Sequence, residues 1–169
     1  HTLTVENRDE EEMPFGIGYH PGFAIPFDDK HTFADYELRF DKLESPICLD
    51  ASCGGLISGK TYYLGNNLNT IAIDEELFAN DSHCMTGLQS DTLGIYEKDS
   101  GRAVVCSIKN FPYCLIWSKA GEPKFVCIEP WHSLPSRTDG GYDWNQKPAA
   151  AILQPEESWS TTMSIAFVR

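Results

Sequence analysis

Apolar and polar residues alternate along much of the chain with a period of two. Leu3 and Val5 in TLTVEN, Tyr36, Leu38 and Phe40 in YELRF, and Ile71 and Ile73 in TIAID each put apolar side chains on one face of an extended segment. Met163, Ile165 and Phe167 in TMSIAFV repeat the pattern near the C-terminus. Between these segments lie short runs that are apolar throughout: LGIY, RAVVCSI, YCLIWS, FVCIE and AAIL. Their length and their β-branched and aromatic content predict strands covered on both faces. Turn chemistry separates them at Cys53-Gly54-Gly55, Gly65-Asn66-Asn67, Asp99-Ser100-Gly101 and Asp139-Gly140-Gly141. The one helix expected is DEELFAN, residues 74–80, which has room for about two turns. About ten strands with almost no helix predict an all-β sandwich or barrel-like fold.

Length and composition narrow this further. With 169 residues, 41% of them apolar, the chain is expected to form a single domain, 1–169, with its own core. Thirteen basic against twenty-five acidic residues give a formal charge of −12, and the basic residues form no stripe. Nucleic acid and anionic membrane surfaces are therefore not expected partners, whereas a neutral small molecule is not disfavoured. The acidic run Asp9, Glu10, Glu11, Glu12 has the character of a solvated loop face. No apolar run approaches the length of a membrane-spanning helix, and the first residues, beginning at His1, lack the pattern of a signal peptide.

The six cysteines add a compartment. Cys106, Cys114 and Cys127 lie inside apolar runs, where a free thiol packs as a small hydrophobe. A chain of this size needs no disulfide framework, so a reducing, cytoplasmic setting is expected. No pair has the CxxC spacing, and no zinc site is expected.

Three segments set titratable residues among aromatics and glycines. In Phe15-Gly16-Ile17-Gly18-Tyr19-His20-Pro21-Gly22-Phe23, the glycines allow close backbone approach and Pro21 holds His20 extended. Taken alone, His20 would be a hydrogen-bonded core or surface histidine. In Phe125-Val126-Cys127-Ile128-Glu129-Pro130-Trp131, a carboxylate ends a very apolar strand. Burial there would raise its pKa towards that of a general base, unless Glu129 caps a turn or pairs with an arginine such as Arg137. Trp131 offers a ring for stacking on a sugar, or a core indole. In Phe78-Ala79-Asn80-Asp81-Ser82-His83, Asp81 and Asn80 can bond hydroxyl groups or satisfy a turn. Asp81, His83 and His20 as metal ligands is a weaker reading, because nothing near His83 supplies a third spaced ligand.

In chain order these segments resemble the aldose 1-epimerase family, and in particular its galactose mutarotase-related branch. VENRDEEEMPFGIGYHPGF resembles the family's strand, loop and histidine segment. FANDSHCM resembles its aspartate segment, and IYEKDSGRAVVCS the strand, turn and strand that follow. FVCIEPWHSLPSRTDG resembles its glutamate strand, and KPAAAILQPEESWSTTMSIAFV its closing strands. The resemblance implies a mutarotase-like supersandwich, a two-sheet β-sandwich incomplete at its N-terminus. It also implies interconversion of the α and β anomers of a free aldohexose, with a monosaccharide as the partner and no metal or organic cofactor. By position, Glu129 would be the base and His20 the acid, with Asp81, Trp131 and Phe23 binding substrate. The two catalytic groups should face one cleft, close enough to sandwich a pyranose ring.

The chain also departs from the family. The N-terminal half, which supplies further strands, an arginine and another histidine, is missing; Ser136 stands at an aspartate position and Glu156 at a glycine. Exposed sheet edges would follow, covered by a homo-oligomer or by association with the N-terminal portion. Two other readings share these residues. One is a carbohydrate-binding module without turnover; the other is a glycosidase using Glu129 and Asp81. A purely structural or interaction protein is a further alternative. The acidic balance disfavours a phosphorylated sugar.

Overall fold

The computed structural model describes residues 1–52, 54–141 and 143–169, so Cys53 of the Cys53-Gly54-Gly55 turn lies outside the described residues. Among the described residues fifteen strands follow one another. The first seven are β1 (Thr2–Glu6), β2 (Met13–Phe15), β3 (Gly22–Ala24), β4 (Tyr36–Glu44), β5 (Ile47–Leu49), β6 (Thr61–Tyr63) and β7 (Leu68–Ala72). The middle of the chain forms β8 (His83–Thr86), β9 (Thr92–Glu97), β10 (Ala103–Ser107), β11 (Tyr113–Trp117) and β12 (Phe125–Trp131). Strands β13 (Ala151–Leu153), β14 (Ser158–Thr162) and β15 (Ile165–Val168) close it.

These strands build a five-stranded sheet, in the order β15-β10-β9-β4-β7, and a six-stranded sheet, in the order β3-β12-β11-β8-β5-β6. Two ribbons, β1 with β14 and β13 with β2, complete the fold. The two large sheets bury one shared core. Tyr36, Leu38, Phe40, Leu93, Ile95 and Cys106 enter it from the first sheet. Cys48, Met85, Cys114, Ile116, Val126 and Ile128 enter it from the second. Side chains of a strand alternate between faces, which is why Tyr36, Leu38 and Phe40 all point inward from β4.

The six-stranded sheet is also covered on its other face, where Cys84, Leu115 and Leu134 form a second cluster with Leu49, Tyr113 and Trp131 against it. This explains the runs that are apolar throughout. In β11 and β12 both faces are buried, so both sets of alternate residues are apolar, with Glu129 as the exception. The candidate site lies on this second face.

Three expectations need correction. Residues 74–80 form no helix. They make a chain of turns in which Asp74 Oδ1 accepts from the amides of Glu76 and Leu77, and the Ala79 amide donates to the Glu76 carbonyl. Seven residues are too few to offset helix nucleation, and burial of Phe78 in the core fixes their path instead. AAIL is not covered on both faces, because among the described residues β13 pairs only with β2 and leaves Ile152 exposed. The pattern Met163, Ile165, Phe167 is divided between two strands: β14 ends at Thr162 and β15 begins at Ile165 in a different sheet. Met163 is buried at this crossing, whereas Phe167 is 74% exposed on the edge strand β15.

Five cysteines, Cys48, Cys84, Cys106, Cys114 and Cys127, are buried free thiols. At the end of β9 the Glu97 carboxylate, 1% exposed, is held by the Tyr36 hydroxyl at 2.7 Å and by Arg102 at 2.6 Å. Arg102 also reaches Asp28, which bonds His31 Nδ1 at 2.7 Å. The Arg102 guanidinium holds Glu97 down at about 2 despite its burial.

Candidate active site

The site begins with how the backbone passes β12. Strand β3 pairs with the first half of β12, through Phe125↔Ala24, Val126↔Phe23 and Cys127↔Gly22. Beyond Cys127 the segment preceding β3 takes over as an irregular neighbour. The Ile128 amide donates to the Pro21 carbonyl at 3.3 Å, the Tyr19 amide to Pro130 at 3.0 Å and the His132 amide to Ile17 at 3.0 Å. Backbone hydrogen bonds therefore hold the chain on both sides of residue 20 and set His20 beside Glu129. Tyr19 points away from the cavity, with its hydroxyl 2.7 Å from the His1 carbonyl. Trp131 Nε1 donates to the Tyr19 carbonyl at 2.9 Å. Gly18 lies so close under this indole that a Cβ there would stand 2.3 Å from Trp131 Cδ1. Only glycine allows the segment to run this near.

His20 Nδ1 stands 3.4 Å from Glu129 Oε1. The imidazole is 55% exposed and the carboxylate 2%. Such a separation exceeds an ordinary hydrogen bond between the two groups and leaves both able to address a third molecule. They share a cavity of about 170 Å³ with Asp81, Ser82, Trp117 and Trp131. An adjoining hollow of about 300 Å³ also borders His20 and Trp131, and extends to Trp144 and Lys147. Together the two reach the size of small-molecule sites. The Trp117 ring meets His20 edge-on, with centroids 6.1 Å apart.

Burial, reinforced by the Asp81 charge, pushes the Glu129 carboxyl up to about 8. Both causes act on the ionised form: the carboxylate has lost water, and a second negative charge faces the same cavity. Arg137 does not relieve it, because that guanidinium bonds Asp139 at 2.8 Å. Asp81 lies in a turn at φ +79°, with its Oδ1 accepting from the Ser82 amide at 2.7 Å. The turn role anticipated for this residue is therefore present along with its place in the cavity.

Of the residues singled out from the sequence, His20, Glu129, Asp81 and Trp131 come together. Phe23 does not. It pairs in register with Val126, whose side chain enters the main core, so Phe23 faces the core side of the sheet, opposite to Glu129. There it borders a different hollow with Phe27, Val104 and Phe167. His83 is also elsewhere: its Nδ1 lies 2.8 Å from the Tyr62 hydroxyl and its Nε2 meets the Leu77 carbonyl. It makes no ligand set with Asp81 and His20 among the described residues. Trp117 was missed. It follows Leu115 by two residues, and Leu115 is the register partner of Glu129, but that pairing is set by the sheet and cannot be read along the chain.

His20 and Glu129 face one cleft, and their 3.4 Å separation puts them next to each other rather than on either side of a ring. They are side by side. For ring opening this is the better arrangement, because the anomeric hydroxyl oxygen and the ring oxygen are bonded to the same carbon.

Comparison with known proteins places this architecture. No family model matches the chain. It is 26% identical over 162 residues to the chromosomal protein LacX of Lactococcus lactis subsp. lactis, an alignment covering 94% of this chain and 54% of LacX. The galactose mutarotase related enzyme from Lactobacillus acidophilus superposes with a TM-score of 0.89 at 23% identity, over 99% of this chain and 56% of that one. A galactose mutarotase-like protein from Lactobacillus casei does so with a TM-score of 0.86 at 21% identity, over 98% and 57%. The chain spans about half the length of the relatives it matches. In fold, this chain is similar to the galactose mutarotase-like proteins.

Proposed function

We propose that the chain carries the acid–base centre of an aldose 1-epimerase, which interconverts the α and β anomers of a free aldohexose. The observation that carries the reading is the 3.4 Å approach of His20 Nδ1 to Glu129 Oε1 in a cavity shared with Asp81 and two tryptophans. Ring opening removes a proton from the anomeric hydroxyl and delivers one to the ring oxygen. In this reading the Glu129 carboxylate accepts the first proton, the bond between C1 and the ring oxygen breaks, and protonated His20 donates to the departing oxygen. The product is the open aldehyde. Rotation about its C1–C2 bond and the reverse transfers then close either anomer. Asp81 would hold sugar hydroxyls, and Trp131 with Trp117 would cover apolar faces of the ring.

The adjacent imidazole favours this reading over hydrolysis by Glu129 with Asp81, where two carboxylates would divide the work. Further strands complete the proposal. β15 and β3 are sheet edges, and Phe167 and Val168 stand exposed on one of them. We therefore place a second copy or the remaining length of such a domain along these edges.

The test is magnetisation exchange between the two anomeric proton signals of a free aldohexose. Glu129→Gln and His20→Ala are each expected to slow the protein-dependent exchange by about 10² to 10⁴. Sugar binding without any acceleration would replace this reading with a carbohydrate-binding module.

A further inference from the structure

We infer that His20, Cys127 and Glu129 together form a site for a borderline-soft divalent cation of the Zn²⁺ class. The binding claim stands on geometry alone. Its consequence, that the ion blocks proton transfer, rests on the epimerase reading.

A ring nitrogen of His20, Sγ of Cys127 and a carboxylate oxygen of Glu129 all lie within 4.8 Å of one another. Ligands about 2.1 Å from a tetrahedral ion stand about 3.4 Å from each other. The nitrogen–oxygen pair already has that spacing, at 3.4 Å. The sulfur has to close by at most about an ångström, within reach of small side-chain rotations.

The backbone explains why the three converge. Cys127 and Glu129 are two residues apart on β12 and so share one face of the sheet. His20 is fixed beside them by the bonds of Tyr19 and Pro21 to β12. Gly22, in register with Cys127, leaves the sulfur room: a Cβ there would stand 3.2 Å from Sγ. The exposed imidazole gives the ion an approach, and the cavity offers space for water or a sugar oxygen at a fourth position.

Nitrogen, thiolate and carboxylate donors together select Zn²⁺ or Co²⁺ over Mg²⁺ and Ca²⁺, which take oxygen ligands. Among the described residues no lysine or arginine lines this cavity, and Asp81 adds negative charge, so the local field attracts a cation. Binding sends the thiol proton, and any proton on the Glu129 carboxyl, to solvent, and the metal keeps its charge. Once bound, the ion occupies the lone pairs through which Glu129 and His20 would exchange protons with a sugar. The three ligands escape sequence inspection because they come from distant segments and include a single cysteine.

The test uses the chain freed of metal by a chelator. Titration with Co²⁺ should produce a thiolate-to-cobalt charge-transfer band in the near ultraviolet that saturates at one ion per chain, and Zn²⁺ should displace it. Cys127→Ser should abolish the band. His20→Ala should weaken Zn²⁺ binding, measured by calorimetry, more than tenfold; because its side chain is exposed, it serves even if the cysteine variant fails to fold. Cys106→Ala, in the other sheet, should leave both signals unchanged. Absence of a thiolate band, or Zn²⁺ affinity unchanged by His20→Ala, overturns the site. Neither signal depends on sugar turnover. A failed epimerase assay therefore leaves this result standing, and the reverse also holds.

Discussion

If Glu129 is a base kept in an unfavourable setting, removing its charge should stabilise the fold. The carboxyl is raised from 4.5 to about 8 by burial and by Asp81. A displacement of that size makes the ionised form about 5 kcal/mol less favourable in the folded chain than in the unfolded one. Between pH 4.5 and 8 the unfolded chain releases this proton while the native chain keeps it. Stability therefore falls as pH rises through that window, and the full cost applies above pH 8. At pH 7 the cost is about 3 kcal/mol, lessened by whatever water enters the cavity. Glutamine mimics the neutral acid. Glu129→Gln should therefore exceed the parent in stability by about 2 to 3 kcal/mol at pH 7, by more at pH 9, and by little at pH 4. Urea unfolding followed by tryptophan fluorescence, in chelator-treated buffer, measures this at each pH. A variant less stable than the parent at pH 9, or a difference that does not change with pH, would refute the argument.

Other consequences can be checked separately. If Glu129 acts ionised while His20 acts protonated, anomer exchange should pass through a maximum between pH 5 and 9 and fall on both sides; a rate profile over that range decides this, and a rate that does not change with pH would refute it. Gly18→Ala should push Trp131 aside, lowering stability by about 1 to 3 kcal/mol in urea unfolding and weakening sugar binding seen by tryptophan fluorescence. Arg102→Ala should destabilise the fold at pH 7 by leaving the Glu97 carboxylate buried without its cation. Since Glu97 is held down at about 2, the stability it contributes is present above about pH 4.5 and lost as pH falls towards 2. The gap between Arg102→Ala and the parent should therefore narrow in acid, as circular dichroism at stepped pH would record.

The parts of the fold legible in the sequence are those where burial on one or both faces wrote itself into residue type. Strands β4, β9, β10, β11 and β12 follow their apolar patterns, and the Asp99-Ser100-Gly101 turn joins β9 to β10 with Gly101 at φ +76°. Three-residue strands such as β2, β3, β5 and β6 carry too few residues for a period to appear. The run through Met163 and Phe167 conceals a change of sheet, made where the Met163 amide bonds the His1 carbonyl and the Ser107 amide bonds Ser164. Those partners come from the other end of the chain and from β10, so nothing local announces the break.

Much the same holds for the site. Glu129 stood out as the one acidic residue in an apolar strand, and His20 by its glycine-rich, proline-limited setting. Their juxtaposition depends on backbone bonds from Tyr19 and Pro21 to β12, which no local pattern encodes. Phe23 lies away from the cavity because one step of register decides which face a strand residue takes. Trp117 and Cys127 entered the site for the same reason: the sheet turns both towards the cavity side.

The central claim is that His20 and Glu129 act in one proton-transfer cycle on the same sugar carbon. Anomer-exchange rates of the parent, His20→Ala, Glu129→Gln and the double variant test it most directly. Groups that work as a unit predict a double variant no slower than the worse of the two single ones, each about 10² to 10⁴ below the parent. Losses that multiply in the double variant, or a single variant that keeps the parental rate, would contradict it.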